Sequence, residues 1–410
     1  MTKYLTLDDY DVKNKVVLVR VDFNSEIDPA TKKVTSDVRI IAHAKTTIAE
    51  LAEKGAKVVV LAHQGRKGDQ DFIELNQHAE ILGNILKRPV KYVPDIFGEK
   101  AQNAIKNLRS GEILVLGNVR SFDGETKKGT PEEHSKTELV RNLAPLADLF
   151  VNDAFAAAHR AHVSMVGFTA VLPSSAGRIM ERELKSLSKA LDKPEKPCLF
   201  VMGGAKADDS LEISKYVLSR NIADIILTGG VTSQVFLAAK GYDLGRDNIA
   251  FLEKKGLTML IPGIRELMQQ YPKSFAIPED LALDVNGKRE EISLEQLPAC
   301  YPIFDVGTKS AESYSKLISS AKSIVVSGPM GVYENPEFAV GTKKIFKAIA
   351  NSEAFSLAGG GHTISALQEF GLSSKISYIS TAGGALIEFL MGKKLPGVSA
   401  LEHTVRTKTA

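Results

Sequence analysis

The chain has 410 residues, of which 44% are hydrophobic and 25% charged, and its formal net charge is +3. That length is more than one hydrophobic core usually serves, so two or three globular domains are expected. So small a net charge excludes recognition of nucleic acid or a membrane surface through the field of the whole chain; the two cysteines, Cys198 and Cys300, make no disulfide framework, and no apolar stretch is long enough to span a bilayer.

Met1-Thr2-Lys3-Tyr4 leads into no long apolar run, so no signal peptide is expected and the cytoplasm is the expected location. The first strand is predicted at 16–21, and it delivers Arg20, Asp22 and Asn24 at its carboxyl end. A helix follows from caps at Ser36-Asp37 to Gly55, then a strand at 57–62 ending in His63-Gln64-Gly65-Arg66. A helix at 79–86, a strand at 90–93, a helix at 100–108 and a strand at 113–116 come next, the last ending in Asn118-Val119-Arg120. A helix at 132–146 and a strand at 148–151 complete the series, with Asn152-Asp153, His159-Arg160 and His162 close behind. Alternation of this kind predicts βαβ units and a parallel sheet.

The pattern breaks at Pro173-Ser174-Ser175-Ala176-Gly177, and an amphipathic segment at 178–191 reads as the connection between two lobes. Alternation then resumes, with strands at 199–202, 222–227, 302–306, 323–326, 354–357 and 376–379, and helices at 210–219, 232–239, 311–321 and 342–350. Cys198 opens an apolar run and reads as a small core residue, and 251–297 is less regular. The expected fold class is therefore α/β, with two doubly wound, Rossmann-like parallel-sheet domains joined by a hinge and an interdomain helix.

The two halves end their strands differently. Ligands of open α/β sheets bind outside the carboxyl ends of the strands. In the first half Arg20, Arg39, Arg66, Arg120 and Arg160 could converge there, with His63, His159 and His162 donating to the same anion; each could also be an ordinary surface or structural residue. The basic neighbours of His159 and His162 disfavour a metal site. The second half has Gly203-Gly204-Ala205-Lys206, Gly229-Gly230, Gly328-Pro329-Met330-Gly331, Gly359-Gly360-Gly361 before His362-Thr363, and Gly383-Gly384. Glycine after a parallel strand admits a ligand to the backbone, and the next helix offers N–H groups to phosphate; tight βα turns need such residues too. Neither a P-loop nor a G-x-G-x-x-G after the first strand is present.

With these residues in order, the chain resembles phosphoglycerate kinases over nearly its whole length. The resemblance rests on Arg20-Val21-Asp22-Phe23-Asn24, His63-Gln64-Gly65-Arg66, Asn118-Val119-Arg120, Val151-Asn152-Asp153-Ala154-Phe155 and His159-Arg160-Ala161-His162. It continues through Gly203-Gly204-Ala205-Lys206, Asp305-Val306-Gly307-Thr308-Lys309, Gly328 to Glu334, Gly359-Gly360-Gly361 and Ser380 to Gly384. It implies that a domain at 1–172 binds 3-phosphoglycerate, that one at 173–391 binds MgATP or MgADP, and that the tail 392–410 packs back on the first. Asp22 and Asn24 would take the hydroxyl and carboxylate side of the substrate. Arg39, His63, Arg66, Arg120 and Arg160, with His159 and His162, would line the basic patch. Arg20 would face the cleft and meet the transferring phosphoryl group. Lys206 would neutralise nucleotide phosphate, Glu334 would bond the ribose, and Gly359 to Thr363, with Gly203 and Gly229, would complete the nucleotide site. Arg20, Arg39, Lys206 and Gly361 are the implied catalytic set.

The implied reaction is reversible phosphoryl transfer between ATP and 3-phosphoglycerate, with hinge closure as its gate. The acceptor is already a carboxylate, so no general base is needed. Mg²⁺ is expected as part of the nucleotide substrate, and a monomer rather than a homodimer, with no nucleic-acid or membrane partner. The chain departs from the family pattern at His362, where an Asp commonly serves the metal, at Ser210, where many members have a second lysine, and at Ser327, usually Asn; Gln64 and His362 resemble the archaeal branch. The protein ligand of Mg²⁺ is thus unassigned, with Asp208 and Asp209 serving either the metal or, as preferred here, the cap of the next helix. Two other classes fit two α/β lobes: a non-catalytic bilobed binding protein for a small anion, which would not bind MgADP, and a two-domain dehydrogenase, which would bind NAD.

Overall fold

The computed structural model describes residues 4–408, with side chains up to Glu402, so Met1-Thr2-Lys3, Thr409-Ala410 and the side chains of His403 to Lys408 lie outside the described residues. The chain divides into two compact units, one formed by residues 1–185 with 394–410 and the other by 186–393. The division falls inside the helix Arg178–Leu191.

In the first unit six parallel strands are β1 (Val16–Arg20), β2 (Lys57–Leu61), β3 (Val90–Tyr92), β4 (Ile113–Val115), β5 (Leu149–Asn152) and β6 (Ser174–Ala176), in the spatial order β3-β4-β2-β1-β5-β6. The apolar runs are continuous because both faces are covered. Val17, Val19, Val58 and Val60 pack with Ile40, Ile48 and Leu82 on one face, while Leu18, Val59, Leu61 and Phe150 pack with Ile105, Leu139 and Leu143 on the other. β6 was not expected. Its pairing with β5 carries the first unit beyond the expected boundary at 172. The single helix expected at 132–146 is three short pieces, Pro131–His134, Glu138–Leu143 and Ala144–Leu146, because Thr137 starts a new turn in extended conformation and Pro145 lies in the last piece.

The second unit has a sheet of β7 (Cys198–Met202), β8 (Ile225–Thr228), β9 (Phe275–Ala276), β13 (Ser323–Ser327), β14 (Phe355–Gly359) and β15 (Tyr378–Ser380), ordered β15-β14-β13-β7-β8-β9 and parallel throughout. Cys198 is buried in it, as expected. A separate antiparallel sheet joins β10 (Asp280–Val285), β11 (Lys288–Ser293) and β12 (Ile303–Val306). The strand expected at 302–306 thus exists but pairs with β10, outside the parallel sheet.

Each parallel sheet reverses its winding at one place, beside β1 and β5 in the first and between β7 and β13 in the second. Open α/β sheets bind ligands at such a crevice. Of the C-terminal tail, Leu395, Val398, Ala400 and Leu401 are buried, and the helix Pro396–Lys408 packs on Val163–Val166, Gly167–Ala170 and β6 of the first unit. No helix among the described residues is long and apolar enough to cross a membrane.

Candidate active site

At the carboxyl end of the first sheet, Arg20 stands in register with Leu61 and Asn152. It is only 1% exposed. Its Nε donates to Ser164 Oγ at 2.8 Å, its Nη2 to His63 Nδ1 at 2.9 Å, and its Nη1 to the Val21 carbonyl. Arginine has no acceptor, so His63 Nδ1 is the unprotonated nitrogen and Nε2 carries the hydrogen. Burial, then the charges of Arg20 and Arg120, hold the His63 pKa well below the usual imidazole value, so it is a neutral donor.

Arg66, Arg120, Arg160 and His162, with Lys67 and Thr126, line a cleft of about 400 Å³. The loop Gln64-Gly65-Arg66 is built for this. Gly65 has φ +65°, and a Cβ there would lie 2.6 Å from the Asp71 backbone, so only glycine makes the turn. Asn24 Oδ1 accepts from Gly65 N–H at 2.8 Å, and Arg120 Nη1 donates to the Gly65 carbonyl. Burial lowers the Arg120 pKa to about 10, and Arg160 and Arg20 add to the fall. His162 is pushed down to about 3 by burial and then by Arg20 and Arg120. Asp123 also lines the cleft but is paired with Lys67, so fixed guanidinium charge beside uncharged imidazole remains, a surface that favours an anion.

The structure redistributes some expected roles. Arg20 is not among the groups lining that cleft: Ser164, His63 and the Val21 carbonyl take its Nε–H and one hydrogen of each Nη, which leaves one N–H on each Nη. Arg39 pairs with Asp22, while Asn24 holds the Gly65 turn, so these three shape the rim away from the cleft lining. His159 is half-buried beside that lining. Three residues with no motif signal, Glu125, Ser164 and His43, join the site from behind, together with Asp153. Glu125 is wholly buried and accepts from Ser164 Oγ at 2.6 Å and Ser164 N–H at 2.9 Å. His43 Nε2 accepts from Asp22 N–H at 3.2 Å, and its Nδ1 meets Asp153 Oδ2 at 2.6 Å.

In the second unit the ends of β7 and β13 touch. Gly203 N–H donates to the Ser327 carbonyl at 2.8 Å and Gly204 N–H to the Pro329 carbonyl at 2.7 Å. Beside them lies a cleft of about 320 Å³ lined by Gly203, Gly204, Lys206, Ser210, Ser327, Gly360, Gly361, His362, Thr363 and Gly383. Three helices begin there, Ala207–Ser219, Gly361–Glu369 and Gly384–Leu390, none with a side-chain cap. Their first-turn N–H groups and positive dipole ends favour phosphate. Gly361 has open space around it, and Thr363 Oγ1 holds the Gly328 N–H at 2.7 Å. The Lys206 side chain is 81% exposed, 3.8 Å from Asp209.

A second hollow of about 180 Å³ shares Gly204, Pro329 and His362 with that cleft and is walled by Val231, Ile303, Phe304 and Val332, with Glu334 at its edge. Glu334 Oε1 lies 3.3 Å from His362 Nδ1. An apolar slot beside a glycine-lined anion site suits a nucleoside joined to its phosphates. Gly229 lies outside both linings; a Cβ there would be 2.4 Å from Met330 Sδ, so its smallness serves packing. Asp208 and Asp209 occupy the first turn of their helix and make no cap bond, contrary to expectation. Burial, then Asp208, raises the Asp209 pKa. Among the described residues no three His, Cys, Asp or Glu side chains are grouped to hold a metal ion.

The family model described as phosphoglycerate kinase matches residues 7–393. The phosphoglycerate kinase of Methanothermobacter thermautotrophicus is 46% identical over 402 residues, covering 98% of this chain and 97% of that one. That of Pyrococcus abyssi is 46% identical over 400 residues, 97% of each. Among solved structures, phosphoglycerate kinase from Pyrococcus horikoshii superposes with a TM-score of 0.87 at 42% identity, over 98% of this chain and 99% of that one. The enzyme from Coxiella burnetii gives 0.85 at 32% identity with the same coverage. The chain belongs to the phosphoglycerate kinase family.

Proposed function

We propose that the chain catalyses reversible phosphoryl transfer between ATP and 3-phosphoglycerate, giving ADP and 1,3-bisphosphoglycerate. Membership of the family supports this reading, and one observation in the structure carries it: two clefts of complementary kind. One is lined by guanidinium groups at the end of the first sheet, and the other by glycines and helix starts at the end of the second. A binding protein for a single small anion would leave the glycine-lined cleft without a ligand.

Arg66, Arg120 and Arg160 hold the phosphate of 3-phosphoglycerate, with His63 and His162 as neutral donors nearby. Arg39 and Asp22 sit on the hydroxyl and carboxylate side. Lys206 and the N–H groups from Gly360 to Thr363 take the nucleotide phosphates, and Glu334 takes the ribose. Neutralising the oxygens of the transferring group is the main work, because the acceptor carboxylate needs no base. Mg²⁺ enters as part of the nucleotide substrate, bound chiefly by its phosphates, with Asp209 the carboxylate lining that cleft. In-line transfer requires the two ligands to meet, so domain closure is part of the proposed cycle. We place the enzyme in the cytoplasm, as a monomer.

The test is ATP consumption by the purified protein with Mg²⁺ and 3-phosphoglycerate, coupled to removal of the acyl phosphate. Turnover should require both ligands; turnover without 3-phosphoglycerate, or none with it, overturns the reading. In the same assay Arg66→Ala should raise the KM for 3-phosphoglycerate about tenfold or more, the worth of a charged hydrogen bond, and leave MgADP binding nearly intact.

A further inference from the structure

Glu125 lies within electrostatic reach of both Arg20 and Arg120, and nothing in the phosphoryl-transfer reading uses it. It is wholly buried. Burial pushes its carboxyl up, while Arg20 and Ser164 pull it back down. Both its oxygens bond Ser164: Oε2 accepts the Ser164 N–H at 2.9 Å and Oε1 accepts the Ser164 hydroxyl at 2.6 Å, with His162 Nδ1 3.9 Å from Oε1. A hydroxyl has one hydrogen and two lone pairs. With its hydrogen given to Glu125, the Ser164 oxygen can only accept, and it accepts the Nε–H of Arg20 at 2.8 Å.

Nε lies in the plane of the guanidinium, so this bond, with Nη2 on His63 and Nη1 on the Val21 carbonyl, fixes the plane at three points. Three of the five N–H bonds are engaged, which leaves one on each Nη. A polarised hydroxyl tied to a buried carboxylate is a stronger acceptor than an isolated serine.

We propose that Ser164 and Glu125 are positioning residues for the transfer reaction: the Glu125–Ser164 pair sets the plane of the Arg20 guanidinium and so aims its remaining N–H groups. This rests on the phosphoryl-transfer reading. Arg20 keeps its charge whatever happens to Ser164, so loss of the pair misdirects the group without discharging it. The effect belongs in kcat, since binding of either substrate draws on other residues.

The test compares wild type, Ser164→Ala, Glu125→Gln, Arg20→Lys and the double variant Ser164→Ala/Arg20→Lys in the coupled assay. Wild-type turnover comes first; its absence sinks the reading of function and not the positioning. With wild type active, Ser164→Ala should lower kcat on the order of ten- to a hundredfold, the loss of one charge-assisted bond, with both KM values within about twofold. Glu125→Gln, which keeps the shape, should lower kcat by less. The double variant should be no slower than Arg20→Lys, because Ser164 acts through Arg20. In the ¹⁵N spectrum the Arg20 Nε–H should be protected from exchange in wild type and lose that protection in Ser164→Ala. An undiminished kcat in folded Ser164→Ala, or losses that simply multiply in the double variant, overturns the inference; if Ser164→Ala does not fold, an undiminished kcat in Glu125→Gln overturns it.

Discussion

His162 lies on a cleft wall with Arg66, Arg120 and Arg160, and the protein holds it uncharged. That choice has a consequence for stability. Burial lowers the imidazole pKa of His162 to about 3 and of His78 to about 4, and pushes His63 well below its usual value. In the unfolded chain all three titrate near 6.5. Between the folded and unfolded values the unfolded chain binds more protons, so stability is full above about pH 6.5 and falls as pH drops toward 4. The raised carboxyl pKa values of Glu125, Asp209 and Asp305, the last at about 6, work the other way and offset part of that fall. The urea midpoint should therefore fall from pH 7 to pH 5, more gently than three imidazoles alone would give. His162→Gln should flatten that fall by up to about 1.4 kcal/mol per pH unit, one proton's worth. Equal slopes for the two proteins would mean that His162 is charged in the folded state.

At the scale of elements, the second site depends on two strand ends pressed together. Gly328 has φ +92°, and a Cβ there would lie 2.2 Å from the Gly203 carbonyl oxygen. Gly328→Ala must both strain the backbone and part β7 from β13. We expect a loss of about 2 kcal/mol or more in stability, together with weaker MgADP binding and unchanged 3-phosphoglycerate binding. Gly371→Ala is the control: φ is +67° but nothing lies within 4 Å, so it should cost about 1 kcal/mol and leave the nucleotide alone. Calorimetry and MgADP titration of both variants decide it; equal nucleotide affinity in the two would refute the strand-contact argument. The positions of Gly203 and Gly328 were legible in the sequence because each closely follows an apolar run. The β10–β11 hairpin carries a sequence signal too: Asn286-Gly287, with φ +53° and +86°, is a two-residue hairpin turn between strands, inside a stretch that otherwise reads as irregular. Glu125 and Ser164 were not legible. A lone acid in a loop has no period and no strand end, and its value comes only from the arginines that folding brings to it. Arg20 shows the same limit in reverse: its place at the end of β1 was readable, but the side-chain acceptors that hold it lie more than 40 residues away.

At the scale of the whole chain, the first unit needs both ends of the sequence, whereas the second is one continuous stretch. The returning segment is fastened at a functional place. Gly397 N–H donates to the Ala158 carbonyl at 2.9 Å, next to His159-Arg160-Ala161-His162. A Cβ on Gly397 would come within 3.1 Å of Ala158 Cα, so this contact admits glycine best. Behind it Leu395, Val398 and Leu401 are buried. The C-terminal helix thus packs behind the loop that carries Arg160 and His162, although none of its described side chains lines that wall. Leu401→Ala removes a wholly buried side chain and should lower stability by about 2–5 kcal/mol. Because the loosened helix is tied to the Ala158 loop, the KM for 3-phosphoglycerate should rise severalfold while MgADP affinity stays unchanged. Steady-state kinetics on the folded variant, well below its melting temperature, separate the two effects. A lower melting temperature with an unaltered KM would show that the helix stabilises the first unit without steadying its cleft, and a loss of MgADP affinity would show that its influence is not confined to the unit it packs on.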